Sequence, residues 1–281
     1  MTLPSRNDSL SVRFWGVRGS IPCAGPETVK YGGNTACVEV RCGQRILILD
    51  AGTGLRQLGQ TLAQENLPAR ADLFLSHYHI DHIMGLPFFA PLYSDEFHLS
   101  LWGARSASAG GAREAIRWLM SEPLFPVQPE DFSARLEFKE FQIGDVLQPA
   151  PDIAISTAAL CHPGGATGYR IQYAKKVLVY LSDTEFPDGV IDPAILALAR
   201  NADLLILDCT YTDEELPSHR GWGHGSWQQG VKFANSANVK QLCLFHHDPS
   251  HDDAFMDTLA AAARAARQNT IVAREGLRLD L

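Results

Sequence analysis

The sequence lacks the features expected of a secreted or membrane-spanning protein. No stretch approaches the roughly 18 consecutive apolar residues of a membrane span, and the polar segment before Leu10 has no apolar signal core. The 6 cysteines form no C-x-x-C pair and are too sparse for a disulfide scaffold. These absences predict a soluble, cytoplasmic protein that keeps free thiols and does not contact a membrane.

Positive charge is also scarce. The chain has 24 Lys and Arg against 32 Asp and Glu, a formal charge of -8, and no insertion rich in lysine and arginine. This balance disfavours a broad electrostatic contact with an extended nucleic acid. Bound divalent cations would still make one site locally positive. The sequence therefore favours a small substrate over a large anionic partner.

What is present is an ordinary globular composition, 46% hydrophobic and 20% charged, in a chain of 281 residues. Apolar runs alternate between strand-like and helix-like periods. Strands are predicted at residues 11–17, 35–41, 45–49, 73–75, 97–102, 153–160, 168–173, 176–182, 203–208 and 241–245. Helices are predicted at residues 55–62, 88–93, 106–120, 193–200, 226–236 and 252–267. This order predicts one α/β domain over residues 1–281, built from two similar halves with helices on the outer face of each sheet.

Two segments have two interpretations each. Residues 121–152 hold 5 prolines and several phenylalanines, which predict loop and short strands. The aromatic rings either line a pocket or pack into the core. Asp50-Ala51-Gly52-Thr53-Gly54 follows a predicted strand, and its glycines either cradle a phosphate or make a turn.

The densest group of candidate metal ligands is Ser76-His77-Tyr78-His79-Ile80-Asp81-His82, which follows the apolar run 73–75. In extended backbone, His77 and His79 leave the same face and can meet one ion. Asp81 and His82 come after the chain has turned and can serve a neighbouring ion. Imidazole and carboxylate ligands suit zinc, manganese and iron. The alternative is a polar loop whose histidines face water, but functional residues usually lie in loops at strand ends.

Three further donors follow predicted strands: His162, Asp183 and His246. Strand ends are where α/β proteins place their sites. Each residue taken alone is equally well explained as a turn histidine, an Asx turn or helix cap, or a half-buried histidine. Their common position favours a shared site.

A carboxylate and a histidine stand apart from these ligands. Asp208 ends the predicted strand 203–208, and His224 lies in Gly221-Trp222-Gly223-His224-Gly225-Ser226, just before a helix. A carboxylate beside an imidazole orients the ring and raises its pKa, which suits a general acid. The alternative for His224 is a histidine held by capping bonds at the helix terminus.

The order of these ligands, His77-x-His79-x-Asp81-His82 and then His162, Asp183 and His246, resembles that of the metallo-β-lactamase superfamily of hydrolases. The resemblance spans nearly the whole chain and implies a four-layer αββα sandwich with the site at one edge of two facing sheets. It assigns His77, His79 and His162 to one metal, and Asp81, His82 and His246 to the other. Asp183 would bridge the two metals. Asp50 matches an aspartate that supports the site from behind the ligands.

Three segments of the second half resemble the phosphodiesterase branch of that superfamily, which includes tRNA 3′-end endonucleases and the cyclic phosphodiesterase of phosphonate degradation. They are Asp208-Cys209-Thr210, Gly223-His224-Gly225-Ser226 and Leu244-Phe245-His246. The chain departs from the branch in having Phe245 for threonine, Asp208 for the glutamate of the endonucleases, and an inserted Gly225. Other branches fit less well: zinc β-lactamases tend to have cysteine in place of Asp183, and diiron oxygen reductases have glutamate in place of His79. Thioester hydrolases and lactonases lack the Gly-His-Ser acid.

The resemblance implies a dinuclear metal-dependent hydrolase. The first expectation is a phosphodiesterase that acts on a small or cyclic phosphodiester, or a nucleotide, through a metal-bridging hydroxide, with Asp208 and His224 as the catalytic acid pair. Two divalent ions are expected, zinc first, with manganese or iron as alternatives. The alternative functions are a tRNA 3′-processing endonuclease, a thioester or lactone hydrolase of the same fold, and a metal-holding sensor without turnover. A homodimer is left open.

Several polar residues remain without a definite role. Arg18, Ser20 and Asn34, in a glycine-rich loop, either line the substrate pocket or serve as ordinary turn residues. No role is assigned to His98, His219, His247 and His251.

Overall fold

The computed structural model of the protein describes residues 9–65, 70–106 and 110–281. In the first half the strands are β1 (Leu10–Gly16), β2 (Cys37–Cys42), β3 (Arg45–Leu49), β4 (Arg70–Leu75), β5 (His98–Ala104) and β6 (Arg135–Phe141). In the second half they are β7 (Val146–Ala150), β8 (Ile153–Leu160), β9 (Ala166–Tyr173), β10 (Lys176–Leu181), β11 (Leu204–Asp208), β12 (Gln241–Phe245), β13 (Thr270–Val272) and β14 (Arg278–Asp280).

The strands form two seven-stranded mixed sheets, in the orders β14-β1-β2-β3-β4-β5-β6 and β13-β12-β11-β10-β9-β8-β7. Strands β3 to β6 are parallel to one another, as are β10 to β13. In each parallel set the carboxyl ends of the strands lie at the same edge, which is where α/β proteins place functional residues.

Helices cover the outer face of each sheet. The helices α1 (Gly54–Gln64) and α3 (Ala112–Leu119) pack on the first sheet, and the short α2 (Ile80–Ile83) follows β4. The helices α4 (Pro193–Ala199), α5 (Trp227–Ser236) and α6 (Asp253–Ala266) pack on the second sheet. None of the helices within the described residues has the length and apolar character needed to cross a bilayer.

The two sheets pack face to face around a shared apolar core. In β3, Leu47 and Leu49 belong to this core, whereas Ile46 and Ile48 pack under the helices. Both faces of the strand are therefore buried, which explains its continuous apolar sequence. The shared core supports our proposal that residues 1–281 form one domain.

Two hydrogen bonds fasten the end of β4 to the second sheet. The Tyr169 hydroxyl donates to the Leu75 carbonyl at 2.6 Å, and the Thr167 N–H donates to the Ser76 carbonyl at 2.8 Å. The Tyr169 ring also contacts Phe74 edge-to-face, with centroids 5.8 Å apart. These contacts fix the chain immediately before the histidine motif.

The predicted four-layer αββα sandwich is confirmed, but several boundaries were wrong. Residues 88–93 form parts of two 3-10 turns rather than one helix, because Pro87 and Pro91 begin separate turns. The helix predicted at 106–120 begins at Ala112, and residues 107–109 lie outside the described residues. In segment 121–152, Phe132 and Phe141 pack within the two cores, and Phe125 and Phe138 pack against one of them, which favours the core interpretation over the pocket wall.

Candidate metal centre

The carboxyl ends of strands from both sheets meet at one edge of the sandwich, and the predicted ligands lie there. The histidine motif follows β4, and His162, Asp183 and His246 follow β8, β10 and β12. All of the predicted ligands are buried except His79, which is exposed, and His162, which is half-buried. The structure therefore brings together donors that are far apart in the sequence.

Three of these strand ends use a backbone conformation that is unfavourable for a residue with a Cβ. Asp50, Asp183 and His246 have φ angles of 60°, 62° and 62°, in the left-handed region. Each such residue costs on the order of 1–3 kcal/mol. At each of the three positions the left-handed conformation bends the chain directly after the strand. The side chain of each residue then contacts other residues of the site.

Asp183 occupies the middle of the site. Its Oδ2 lies 3.7 Å from His77 Nε2 and 3.6 Å from His162 Nε2. Its Oδ1 lies 3.2 Å from His82 Nε2 and 3.3 Å from His246 Nε2. Burial alone would raise the pKa of this carboxyl, but the facing imidazoles of His246 and His82 hold it well below its ordinary value. Each oxygen therefore faces a different pair of histidines.

The remaining donors divide in the same way. On the Oδ2 side, His79 Nδ1 lies 2.9 Å from His162 Nε2. On the Oδ1 side, Asp81 Oδ2 lies 3.2 Å from His82 Nε2 and 3.4 Å from His246 Nε2. Among the described residues, five groups of three donors lie close enough to hold an ion, and two of them match the predicted division: His77 with His79 and His162, and Asp81 with His82 and His246.

Hydrogen bonds fix which nitrogen of the buried imidazoles faces the centre. The Nδ1–H group of His77 donates to Ser76 Oγ at 3.0 Å, and the Nδ1–H group of His82 donates to Asp50 Oδ2 at 2.9 Å. The Nδ1–H group of His162 donates to the Gly223 carbonyl at 3.0 Å, and the Nδ1–H group of His246 donates to Thr210 Oγ1 at 3.1 Å. A neutral ring with a proton on Nδ1 presents the lone pair of Nε2. Four Nε2 atoms therefore converge on the Asp183 carboxylate.

This convergence fits divalent cations. Among the described residues, His77 Nε2 is buried without a hydrogen-bond partner. His82 Nε2 and His246 Nε2 lie 3.3 Å apart, so their lone pairs oppose each other unless a cation or proton lies between them. Burial lowers the pKa of His77 well below its ordinary value, which keeps the ring neutral for ligation. Nitrogen and carboxylate donors of this kind suit zinc, manganese or iron.

Asp50 supports the ligands from inside the fold. It accepts hydrogen bonds from the Ser76 N–H at 2.7 Å, the Ser76 hydroxyl at 2.9 Å, His82 Nδ1–H at 2.9 Å and the Tyr180 hydroxyl at 2.7 Å. The same carboxylate thus orients His82 directly and His77 through Ser76.

Replacing Asp50 by alanine is expected to weaken the affinity for the metal by about 10- to 100-fold, the usual effect of removing a partner that orients a ligand. A chelator competition titration measures this. Tyr180→Phe is the matched control, because it removes one donor to Asp50 and leaves the Asp50–His82 hydrogen bond in place. Equal metal affinity in Asp50→Ala and wild type would contradict the orienting role.

Asp208 and His224 form a second arrangement beside the ligands. His224 Nδ1–H donates to Asp208 Oδ2 at 2.8 Å, and the His224 ring stacks on His246 with centroids 4.9 Å apart. Burial alone would lower the pKa of His224, but the Asp208 carboxylate raises it to about 9. Ser226, not His224, caps α5, since Ser226 Oγ accepts from the Gln229 N–H at 3.1 Å. The capping explanation for His224 was therefore wrong.

For residues 50–54, which the sequence left open between a turn and a phosphate cradle, the turn is confirmed. The N–H groups of residues 51–54 are all bonded inside the protein, to His82, Ala36 and Thr35, so Asp50–Gly54 is a turn and not a phosphate cradle. Asn34 bonds Glu275 through both its N–H and its amide. Ser20 is exposed beside the site, and its backbone N–H donates to Asp81 Oδ2 at 2.7 Å.

Arg18 is fully buried and lines no substrate pocket. Its guanidinium donates to the carbonyls of Gly32 at 2.8 Å, Asp248 at 2.9 Å and His251 at 2.6 Å. It therefore connects the loop after β1 to the chain that follows β12.

The change Arg18→Ala is expected to lower the free energy of unfolding by at least about 3 kcal/mol, because hydrogen bonds from a charged donor each contribute about 1.5–3 kcal/mol. Urea unfolding of the metal-loaded protein measures this. Arg56→Ala, at an exposed position of α1, is the control and should be close to wild type. An Arg18→Ala protein as stable as wild type would contradict the connecting role.

Three residues that orient the ligands had no assigned function in the sequence: Ser76, Thr210 and Gly223. Ser76 and Thr210 place hydroxyl oxygens beside histidine Nδ1 atoms, and Gly223 uses its carbonyl. Thr210 also donates to Asp208 Oδ1 at 2.6 Å, so it links the Asp208–His224 pair to His246. The sequence signal for Ser76 is its adjacency to His77, whereas Thr210 and Gly223 lie in the segments that resemble the phosphodiesterase branch.

Fold and site together define a metal-dependent hydrolase with the metallo-β-lactamase fold. The chain belongs to the beta-lactamase superfamily domain family, whose model matches residues 44–247. That range contains every predicted ligand and both members of the Asp208–His224 pair.

The chain is similar to named proteins over nearly its full length. It is 26% identical to a ribonuclease Z of Gemmatimonas aurantiaca, over 97% of this chain and 96% of that protein. Among solved structures, the metallo-beta-lactamase fold protein YhfI from Bacillus subtilis is 22% identical with a TM-score of 0.75, over 98% of this chain and 100% of the other. The short form of human tRNase Z is 20% identical with a TM-score of 0.66, over 96% and 98%. At these identities the two structures establish the likeness of fold.

Proposed function

We propose that the protein hydrolyses phosphodiester bonds with two divalent cations, zinc in the first instance. The observation that carries the proposal is the 2.8 Å hydrogen bond between Asp208 and His224, placed beside the ligand cluster by the stacking of His224 on His246. A site that only held metal would have no use for such a pair.

The donor groups support the following assignment of ligands. His77, His79 and His162 would hold one cation with Asp183 Oδ2, and Asp81, His82 and His246 would hold the other with Asp183 Oδ1. Divalent cations, when bound, activate water for attack and neutralise charge on the phosphoryl group. Hydrogen bonds to the Nδ1 atoms of the ligand histidines keep their Nε2 atoms directed at the centre. The acceptors are Ser76, Asp50, Gly223 and Thr210.

His224 is suited to donate the proton that the leaving oxygen needs. Its Nδ1–H is engaged by Asp208, so Nε2 remains for the substrate. The raised pKa of His224, about 9, keeps the ring protonated at neutral pH. Asp208 is itself held by the Thr184 N–H at 3.0 Å and by the Thr210 hydroxyl at 2.6 Å. The Asp208–His224 pair is thus held in position as a general acid, which favours a phosphodiester substrate over a thioester or lactone substrate.

Two classes of substrate are candidates. The charge of -8 and the lack of a lysine- and arginine-rich insertion support a small phosphodiester, such as a cyclic nucleotide. The likeness to a ribonuclease Z over nearly the full chain supports the 3′ end of a precursor tRNA as the second candidate.

The test is hydrolysis of bis(p-nitrophenyl) phosphate by protein loaded separately with zinc, manganese or iron(II). Turnover that requires metal is the expected result. A parallel assay with 2′,3′-cyclic nucleotides and with a 3′-extended tRNA then separates the two substrate classes. No turnover of any diester by protein that binds two ions would contradict the proposal and favour a thioester or lactone substrate.

A further inference from the structure

Trp222 is a large apolar side chain left in solvent beside the site. Its exposed fraction is 60%. Isolated exposed apolar residues are common and need no explanation. Trp222, however, lies two residues before His224, so the two Cα atoms are at most about 7 Å apart. Trp222 therefore belongs to the same short chain segment as His224.

The loop that carries Trp222 is rigidly attached to the site. The Glu185 carboxylate accepts from the N–H groups of Gly221 at 3.0 Å and Gly223 at 3.2 Å. The Gly223 carbonyl accepts from His162 Nδ1–H, and a Cβ on Gly223 would lie 2.2 Å from that ring. The position of Trp222 is therefore fixed relative to a ligand histidine.

A series of ring contacts leads from His224 out to Trp222. Tyr211 lies edge-to-face with His224, at 6.0 Å between centroids, and stacks on His219 at 4.3 Å. His219 meets Trp222 at 4.8 Å and 89°. This perpendicular contact steadies the indole while leaving most of it in solvent. An aromatic group that lies against Trp222 would therefore extend an existing series of rings.

Other exposed residues at the rim are apolar as well. Ile80 lies between His79 and Asp81 and is 57% exposed. Ile21 follows Ser20, whose N–H donates to Asp81, and is 58% exposed. The rim thus offers apolar contact at several points, which suits a flat, weakly polar group next to the scissile phosphate.

We propose that Trp222 is the surface on which a nucleobase of the substrate stacks, next to the phosphate that is cleaved. This makes Trp222 a specificity-determining residue, and the inference rests on the proposed phosphodiesterase function. Stacking of a base on an aromatic side chain changes affinity by roughly 5- to 100-fold and tolerates any base. A protein without a basic arm can in this way select nucleotides over simple alkyl diesters.

The test compares two substrates with the same leaving group, thymidine 5′-(p-nitrophenyl) phosphate and methyl p-nitrophenyl phosphate, on zinc-loaded protein. The ratio of their kcat/KM values is expected to fall about 5- to 100-fold in Trp222→Ala, through KM of the thymidine substrate. Trp222→Phe should keep most of the ratio. Trp118→Ala, equally exposed at 59% but on α3, should leave it unchanged. A disturbed loop would lower both kcat/KM values together and leave the ratio as in wild type.

Calorimetric binding of adenosine 5′-monophosphate gives a second measurement that needs no turnover. Weaker binding in Trp222→Ala than in Trp222→Phe and Trp118→Ala is expected. An unchanged substrate ratio, or equal nucleotide binding by all variants, would overturn the inference. If wild type hydrolyses neither diester, the proposed function fails, and the stacking role is then decided by nucleotide binding alone.

Discussion

The variant Asp183→Ala should lose metal-dependent hydrolysis almost completely, with kcat/KM lower by at least about 10⁴-fold, since catalytic groups that act as a unit fail when one member is removed. Asp183 Oδ1 and Oδ2 face different pairs of histidines, at 3.2 to 3.7 Å. Without the carboxylate, neither group of donors keeps its shared anionic member. The variant should therefore also bind fewer divalent ions after dialysis, as measured by elemental analysis.

Thermal unfolding gives an independent measurement of the same change. A ligand that binds only the folded state stabilises it by about 4 kcal/mol at 1,000 times its Kd. Zinc should therefore raise the Tm of wild type by several degrees and that of Asp183→Ala much less. Asp183→Asn retains the size of the side chain and removes its charge, and should resemble alanine. Asp192→Ala, at the exposed N-cap of α4, is the control. Two tightly bound ions and full activity in Asp183→Ala would contradict the central role.

The variant His224→Ala should lower kcat by about 10²- to 10⁴-fold, the usual contribution of a general acid, while the metal content stays at that of wild type. The loss should depend on the leaving group. An unactivated alkoxide needs a proton more than p-nitrophenolate does, so the loss should be larger for a dinucleotide than for bis(p-nitrophenyl) phosphate. A loss of metal equal to the loss of activity would instead make His224 a ligand.

The partner of His224 supplies the control for this result. Asp208→Asn keeps the hydrogen-bonding shape and removes the charge that raises the pKa of His224. If the two residues act as one acid, the double variant should be little worse than His224→Ala alone. Additive losses, or equal losses for both leaving groups, would contradict the acid role.

The sequence predicted the strands whose apolar residues are buried on both sides. Leu204 to Leu207 and Leu242 to Phe245 are continuous apolar runs because sheet and helices cover them. The edge strand β14 was missed because it is short, partly exposed and carries Arg278 and Asp280. Leu277, Leu279 and Leu281 alternate with polar residues and pack against the core shared by the sheets, but a pattern of three leucines is too short to identify a strand by itself.

The residues of the candidate site that could be predicted are those with a metal-ligating side chain directly after a strand. The histidine motif, Asp183 and His246 are all of this kind. The connecting role of Arg18 was not predicted, because its partners Asp248 and His251 lie 230 and 233 residues away in the sequence. The residues around Arg18 in the sequence give no information about such distant partners. A cluster of ligands within a few residues, by contrast, can be recognised from the local sequence.

The left-handed conformations of Asp50, Asp183 and His246 have a consequence for how such proteins change over generations. Glycine and asparagine occupy this backbone region more readily than the residues present. Substitutions that remove a ligand at Asp183 or His246, or the residue that orients ligands at Asp50, therefore relieve local strain, and stability and activity select in opposite directions there. In a descendant protein that is no longer selected for hydrolysis, glycine would tend to replace these residues at the strand ends. Each substitution that restored one of the original residues would then lower the stability of the protein.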